Sequence, residues 1–148
     1  AAGGPQRAAD SEPPRQIESR PASGSALRIL IVDDHPALRS VLAGMLTPYA
    51  EIEVVGEAGD GAEAVNTALQ LCPDVILMDV SMPHLNGIEA TRRILTAMPE
   101  TRIIGISLHE TESMAQAMRE AGAVDFFRKS EAASVLMDKI LRLAKRSI

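Results

Sequence analysis

The chain has no tryptophan, one tyrosine, two phenylalanines and a single cysteine. With so few rings the interior must be filled by aliphatic side chains and methionine, and little is left to stack on the bases of a single strand of nucleic acid. One cysteine cannot close an internal disulfide, so a reducing compartment is the simpler setting. Cys72 falls in register with Val65, Ala68 and Leu69 on a predicted helix. There it reads as a small buried hydrophobe rather than a reactive thiol. No apolar run approaches the roughly 20 residues of a transmembrane helix. The amino terminus has no apolar signal-peptide core either, so a cytoplasmic protein without a membrane partner is expected. Positive charge is not in excess. A net charge of −5 argues against a surface built for phosphate backbones and suits a pocket that gathers a metal cation.

What is present is 46% hydrophobic residues in 148, enough for one domain with a sizeable core. The first 26 residues differ from the rest. They contain Pro5, Pro13, Pro14 and Pro21, almost no large apolar side chain, and charges that cancel. Such a segment cannot bury enough surface to offset its ordering entropy, so a disordered tail over 1–26 is expected, followed by a domain over 27–148. The missing initiating methionine implies processing, trimming or a fragment.

From Leu27 onward, short runs rich in Val and Ile alternate with helical patterns. Pro36 suits a first helical position, with Leu38, Val41, Leu42 and Met45 as its apolar stripe. Asp60-Gly61-Ala62-Glu63 resembles a capping box. Gly122 closes a helix bearing Met114, Ala117, Met118 and Ala121, and Ser130 suits the N-cap of the last helix. The pattern is five βα units, which implies an α/β fold with a parallel five-stranded sheet, helices on both faces and right-handed crossovers.

The chemistry gathers where the strands end. Ile29-Leu30-Ile31-Val32 runs into Asp33-Asp34, Val75-Ile76-Leu77-Met78 into Asp79, Ile103-Ile104-Gly105-Ile106 into Ser107, and Val124-Asp125-Phe126-Phe127-Arg128 into Lys129. Buried parallel strands share one carboxyl edge, where ligands bind in open α/β sheets. Three carboxylates, a hydroxyl and an ammonium would therefore meet in one pocket, which suits a divalent cation beside a phosphoryl group. Asp79 is the candidate nucleophile, since a carboxylate can attack phosphorus to form an aspartyl phosphate. Asp33 and Asp34 would help hold Mg2+ (or Mn2+), Lys129 would neutralise phosphoryl charge, and the Ser107 hydroxyl would donate to a phosphoryl oxygen. His35, His84 and His109 lie on separate loops, where solvation is the plainer reading than metal ligation.

These residues resemble a known pattern. Ile31-Val32-Asp33-Asp34-His35-Pro36, Asp79-Val80-Ser81-Met82-Pro83, Asn86-Gly87-Ile88-Glu89-Ala90, Ser107, Ala121-Gly122-Ala123 and Lys129 are similar to the receiver domain of two-component response regulators. Val54-Val55-Gly56-Glu57-Ala58 with Asp60-Gly61 resembles the NarL/LuxR (FixJ) subgroup. The resemblance implies a flavodoxin-like (βα)5 doubly wound sheet of strand order 2-1-3-4-5. It implies that Asp79 accepts a phosphoryl group from a phosphohistidine on a sensor histidine kinase. It also implies that Mg2+ is held by Asp34, Asp79 and the backbone carbonyl of Ser81, with Asp33 acting through water. Ser107 and Phe126 take the switch positions, with Phe126 in place of the commoner Tyr and Ser107 in place of the commoner Thr. Ser81 and His109 stand where the family tunes dephosphorylation.

The function implied is a phosphorylation-dependent switch, not a turnover enzyme. Homodimerisation on phosphorylation is a possible output, and DNA would be reached only through a helix-turn-helix domain outside this chain. The alternatives are a stand-alone receiver acting through protein contacts, or an Asp-nucleophile, Mg2+-dependent phosphohydrolase. Ser81 counts against the last, because such enzymes carry a general acid two residues after the nucleophile.

Overall fold

Apolar runs with no polar alternate need cover on both faces of the pleat, and in the computed structural model they receive it. The structure describes residues 26–80, 86–107 and 112–146; apart from Ala26, the expected tail lies outside the described residues. Within them the chain alternates β1 (Leu27–Val32), α1 (Pro36–Leu46), β2 (Ile52–Ala58), α2 (Gly61–Leu71), β3 (Val75–Asp79), α3 (Gly87–Ala97), β4 (Arg102–Ser107), α4 (Glu112–Ala121), β5 (Asp125–Arg128) and α5 (Ala133–Arg146). The strands form one parallel sheet of order β2-β1-β3-β4-β5, as the resemblance implies.

The central strands are buried throughout, and successive residues feed opposite cores. Ile29, Ile31, Val75, Leu77, Ile104 and Ile106 pack with Leu42 and Leu46 of α1 and Leu136, Met137, Ile140 and Leu143 of α5. Leu30, Val32, Ile76, Met78 and Ile103 face the other way, onto Ala64, Ala68, Ala90, Ile94 and Met118 of α2, α3 and α4. Each fully buried Ile or Leu contributes about 1.5–3 kcal/mol, so the centre of the sheet is the most firmly held part of the molecule.

Local signals place several helix ends. The Asp60 side chain accepts the Glu63 amide at 2.8 Å, while the Glu63 carboxylate reaches back to the Gly59 amide at 2.7 Å. Asn86 caps α3 through the Glu89 amide at 2.9 Å. Gly122, at φ +115°, ends α4.

Two expectations are corrected. Cys72 is exposed, not buried: it leaves the apolar seam by taking the left-handed conformation (φ 49°) at the C-cap of α2. Periodicity carries the seam one residue beyond the point where the backbone turns away. Ser130 does not cap the last helix, which starts at Ala133. The intervening residues form a turn instead, in which the Arg128 amide donates to the Glu131 carboxylate at 2.9 Å and the Glu131 amide to the Arg128 carbonyl at 2.9 Å.

Candidate functional site

The carboxyl edge of the sheet is where buried strands stop and polar residues begin. Asp79 is the last residue of β3 and lies opposite Ile106 of β4, beside Ser107; both Asp79 and Ser107 are almost fully buried. Asp33 follows β1 directly and is held to β2 by its amide, which donates to the Ala58 carbonyl at 3.0 Å. Lys129 follows β5, and its amide donates to the Ser107 carbonyl at 2.8 Å, so the alcohol and the amine are tied through backbone.

The side chains converge. Lys129 Nζ sits 2.5 Å from Asp33 Oδ2 and 3.7 Å from Asp79 Oδ2. Oxygens of Asp33, Asp34 and Asp79 and a ring nitrogen of His35 lie within 4.8 Å of one another. Three carboxylates around one ammonium leave an excess of negative charge in a low-dielectric recess. Asp33 is already occupied: Oδ2 by Lys129 and Oδ1 by the His35 amide at 2.9 Å. Asp34 Oδ1, by contrast, is buried without a hydrogen-bond partner. A buried, unbonded carboxylate oxygen beside further acids is what a hard divalent cation would satisfy, so the donor set fits Mg2+ or Mn2+.

Sequence reasoning missed three supporting residues. Gly87, at the start of α3, lies so close to β3 that a Cβ there would stand 2.1 Å from the Asp79 carbonyl oxygen and 2.9 Å from Val80 Cα. Only glycine lets the helix abut the nucleophile's backbone. Asn86-Gly87 reads in sequence as a turn, and no local signal reveals that contact. Arg39, on α1, donates to the Asp33 carbonyl at 2.6 Å and pairs with Glu57 at 3.0 Å, joining the ends of β1 and β2 behind the acids. His35 stands at the N-cap of α1, and its ring is directed at the acid pair rather than being merely solvated.

Phe126, half-buried on β5, lies across β4 at Gly105, where a Cβ would come 2.9 Å from the ring. Gly105 and Ser107 are two residues apart on one strand and share a face. Ser81, His84 and His109 lie outside the described residues.

Comparison with known proteins agrees with this fold. Residues 29–141 match the model of the response regulator receiver domain. The chain is 39% identical over 119 residues to the transcriptional regulatory protein LiaR of Bacillus subtilis, which covers 80% of this chain and 56% of that protein. It is 34% identical to the transcriptional regulatory protein DegU of Brevibacillus brevis, covering 80% of this chain and 50% of that one. The chain thus spans about half the length of these relatives. Among solved structures it is similar to a LuxR-family two-component response regulator from Aurantimonas (TM-score 0.78, 33% identity, 82% of this chain and 86% of that one). It is also similar to the response regulator domain of Thermotoga maritima CheB (TM-score 0.76, 38% identity, 81% and 97%).

Proposed function

The chain belongs to the response regulator receiver domain family, and on that premise we propose that Asp79 is its phosphoacceptor. An Asp79 carboxylate oxygen attacks the phosphorus of a phosphohistidine on a sensor histidine kinase, or of a small donor such as acetyl phosphate. The new P–O bond forms as the P–N or donor P–O bond breaks, and the leaving group takes the electron pair. Lys129, already between Asp33 and Asp79, balances the charge of the incoming phosphoryl oxygens, and the Ser107 hydroxyl donates to one of them. Asp34, Asp79 and the Ser81 carbonyl would hold Mg2+ or Mn2+, with Asp33 acting through water, and the ion would screen carboxylate from phosphoryl charge.

The product is a signal state, and the domain takes up and releases one phosphoryl group without turning over substrate. Ser107 and Phe126 then act as the switch, and Ser81 and His109 set the lifetime. Residues 27–148 serve as the receiver unit, with 1–26 as a preceding tail. In the whole protein, working in the cytoplasm, the readout proposed is homodimerisation and control through a DNA-binding output domain; the relatives' names support the transcriptional part of this reading.

The observation that carries this reading is Lys129 Nζ standing 2.5 Å from Asp33 and 3.7 Å from Asp79, at a strand edge shared with Ser107. Intact mass after incubation with acetyl phosphate and Mg2+ tests it. Wild type should gain one phosphoryl group and Asp79→Asn none; equal gain in both would discard Asp79 as the acceptor.

A further inference from the structure

His35 occupies a position where helices favour Ser, Thr, Asp or Asn by about 1 kcal/mol. Its backbone is extended, as an N-cap requires (φ −104°, ψ 109°), yet its side chain makes no capping bond, and the first turn of α1 has no acidic residue. The ring instead sits over the acids, with Nδ1 3.0 Å from Asp34 Oδ1 and 3.3 Å from Asp33 Oδ1. The 3.0 Å contact lacks the alignment of a hydrogen bond, since Asp34 Oδ1 has no hydrogen-bond partner. Two atoms side by side at that spacing match adjacent ligands of an octahedral ion, which bonds of about 2.1 Å place about 3.0 Å apart.

We infer that His35 Nδ1 is a direct ligand of the cation held by Asp34 and Asp79, so that this site takes nitrogen-accepting first-row divalent ions, Mn2+ among them, in preference to Mg2+. The inference rests on the reading of Asp34 and Asp79 as a cation site. The ligand assignment follows from which atoms are already engaged. Asp33 spends both oxygens on Lys129 and on the His35 amide. Asp34 Oδ1 is left unbonded beside Asp79, and His35 Nδ1, within the same 4.8 Å cluster, has only a long 3.3 Å hydrogen bond to Asp33 Oδ1 to give up. Imidazole nitrogen suits Zn2+, Ni2+ and Fe2+, and Mn2+ accepts it beside carboxylates, whereas Mg2+ prefers oxygen and keeps its waters. The ring, 61% exposed, remains reachable from solvent, so the cation can enter without unfolding the edge of the sheet.

The test is pulsed EPR on the 148-residue chain loaded with Mn2+, paired with calorimetric titrations of Mn2+ and Mg2+. Wild type should show the nitrogen coupling of a bound imidazole. His35→Ala should abolish it and weaken Mn2+ at least tenfold while changing Mg2+ less than twofold. His35→Asn, which also suits the helix N-cap, should behave like His35→Ala and so rules out a loss of fold. Coupling that persists in His35→Ala, Mn2+ bound to wild type without nitrogen coupling, or equal weakening of both ions would overturn the ligand role and leave the cation site standing. Failure of wild type to bind either ion would overturn the cation site itself, and this inference with it.

Discussion

At the amino edge of the sheet Arg28 is buried and its charge ends on backbone, whereas at the carboxyl edge three carboxylates crowd around one lysine. Arg28 Nη1 donates to the Leu71 and Cys72 carbonyls at 2.8 and 3.0 Å, closing the C-terminus of α2, and the Arg28 amide meets the Asp74 carboxylate at 2.8 Å. Those bonds tie one part of the chain to another even though Nε and Nη2 find no partner. At the other edge, Asp34 Oδ1 is buried and unbonded, and Lys129 is shared unequally between two acids. A buried charge that ends on carbonyls holds an architecture together. A surplus of like charge kept at the end of firmly packed strands costs stability and is retained for what it can bind.

Substitutions can break or sharpen that contrast. The largest effect should come from Gly87→Ala, because the added methyl meets the Asp79 backbone rather than a side chain that can move aside. A loss of about 3 kcal/mol in urea unfolding is expected, with slower phosphoryl gain from acetyl phosphate. Normal stability would mean the close approach of α3 is dispensable. Next, Arg28→Ala should lose about 2 kcal/mol by freeing the Leu71 and Cys72 carbonyls and emptying the buried site of the side chain. Its rate of phosphoryl gain should match wild type; a slowed rate would show that the two edges are coupled. Smallest and of opposite sign, Asp34→Asn should raise stability by about 1 kcal/mol by relieving repulsion among the acids. Added Mg2+ should then raise the unfolding midpoint of wild type and not of Asp34→Asn. A destabilised Asp34→Asn would place that acid among the structural charges and dissolve the comparison.

Much of the sheet was legible before any coordinates. Runs such as Val75-Ile76-Leu77-Met78 have no polar alternate, so they could only be strands covered on both faces, and their ends named the acids, alcohol and amine. Strand order came from family likeness, since nothing local in β1 says that it lies between β2 and β3. Helix ends are legible where a capping box announces them, as at Asp60, and not where only the structure shows the cap or backbone conformation decides, as at Asn86, Cys72 and Ser130. The supporting residues of the site escaped for a related reason. Gly87 against Asp79, Arg39 against the Asp33 carbonyl, and His35 over the acid pair are contacts set by how a loop or helix lands on a strand. No periodicity encodes that.

The bare Cα of Gly105 beneath the Phe126 ring has an evolutionary reading. A methyl group at that point would press on the ring and on Met118 Cε, 3.0 Å away, and none of the acids, Ser107 or Lys129 is among its nearest atoms. Under the switch role proposed for Phe126, exchange of this one small residue would retune how readily the aromatic group changes place, leaving the acids, the alcohol and the amine as they are.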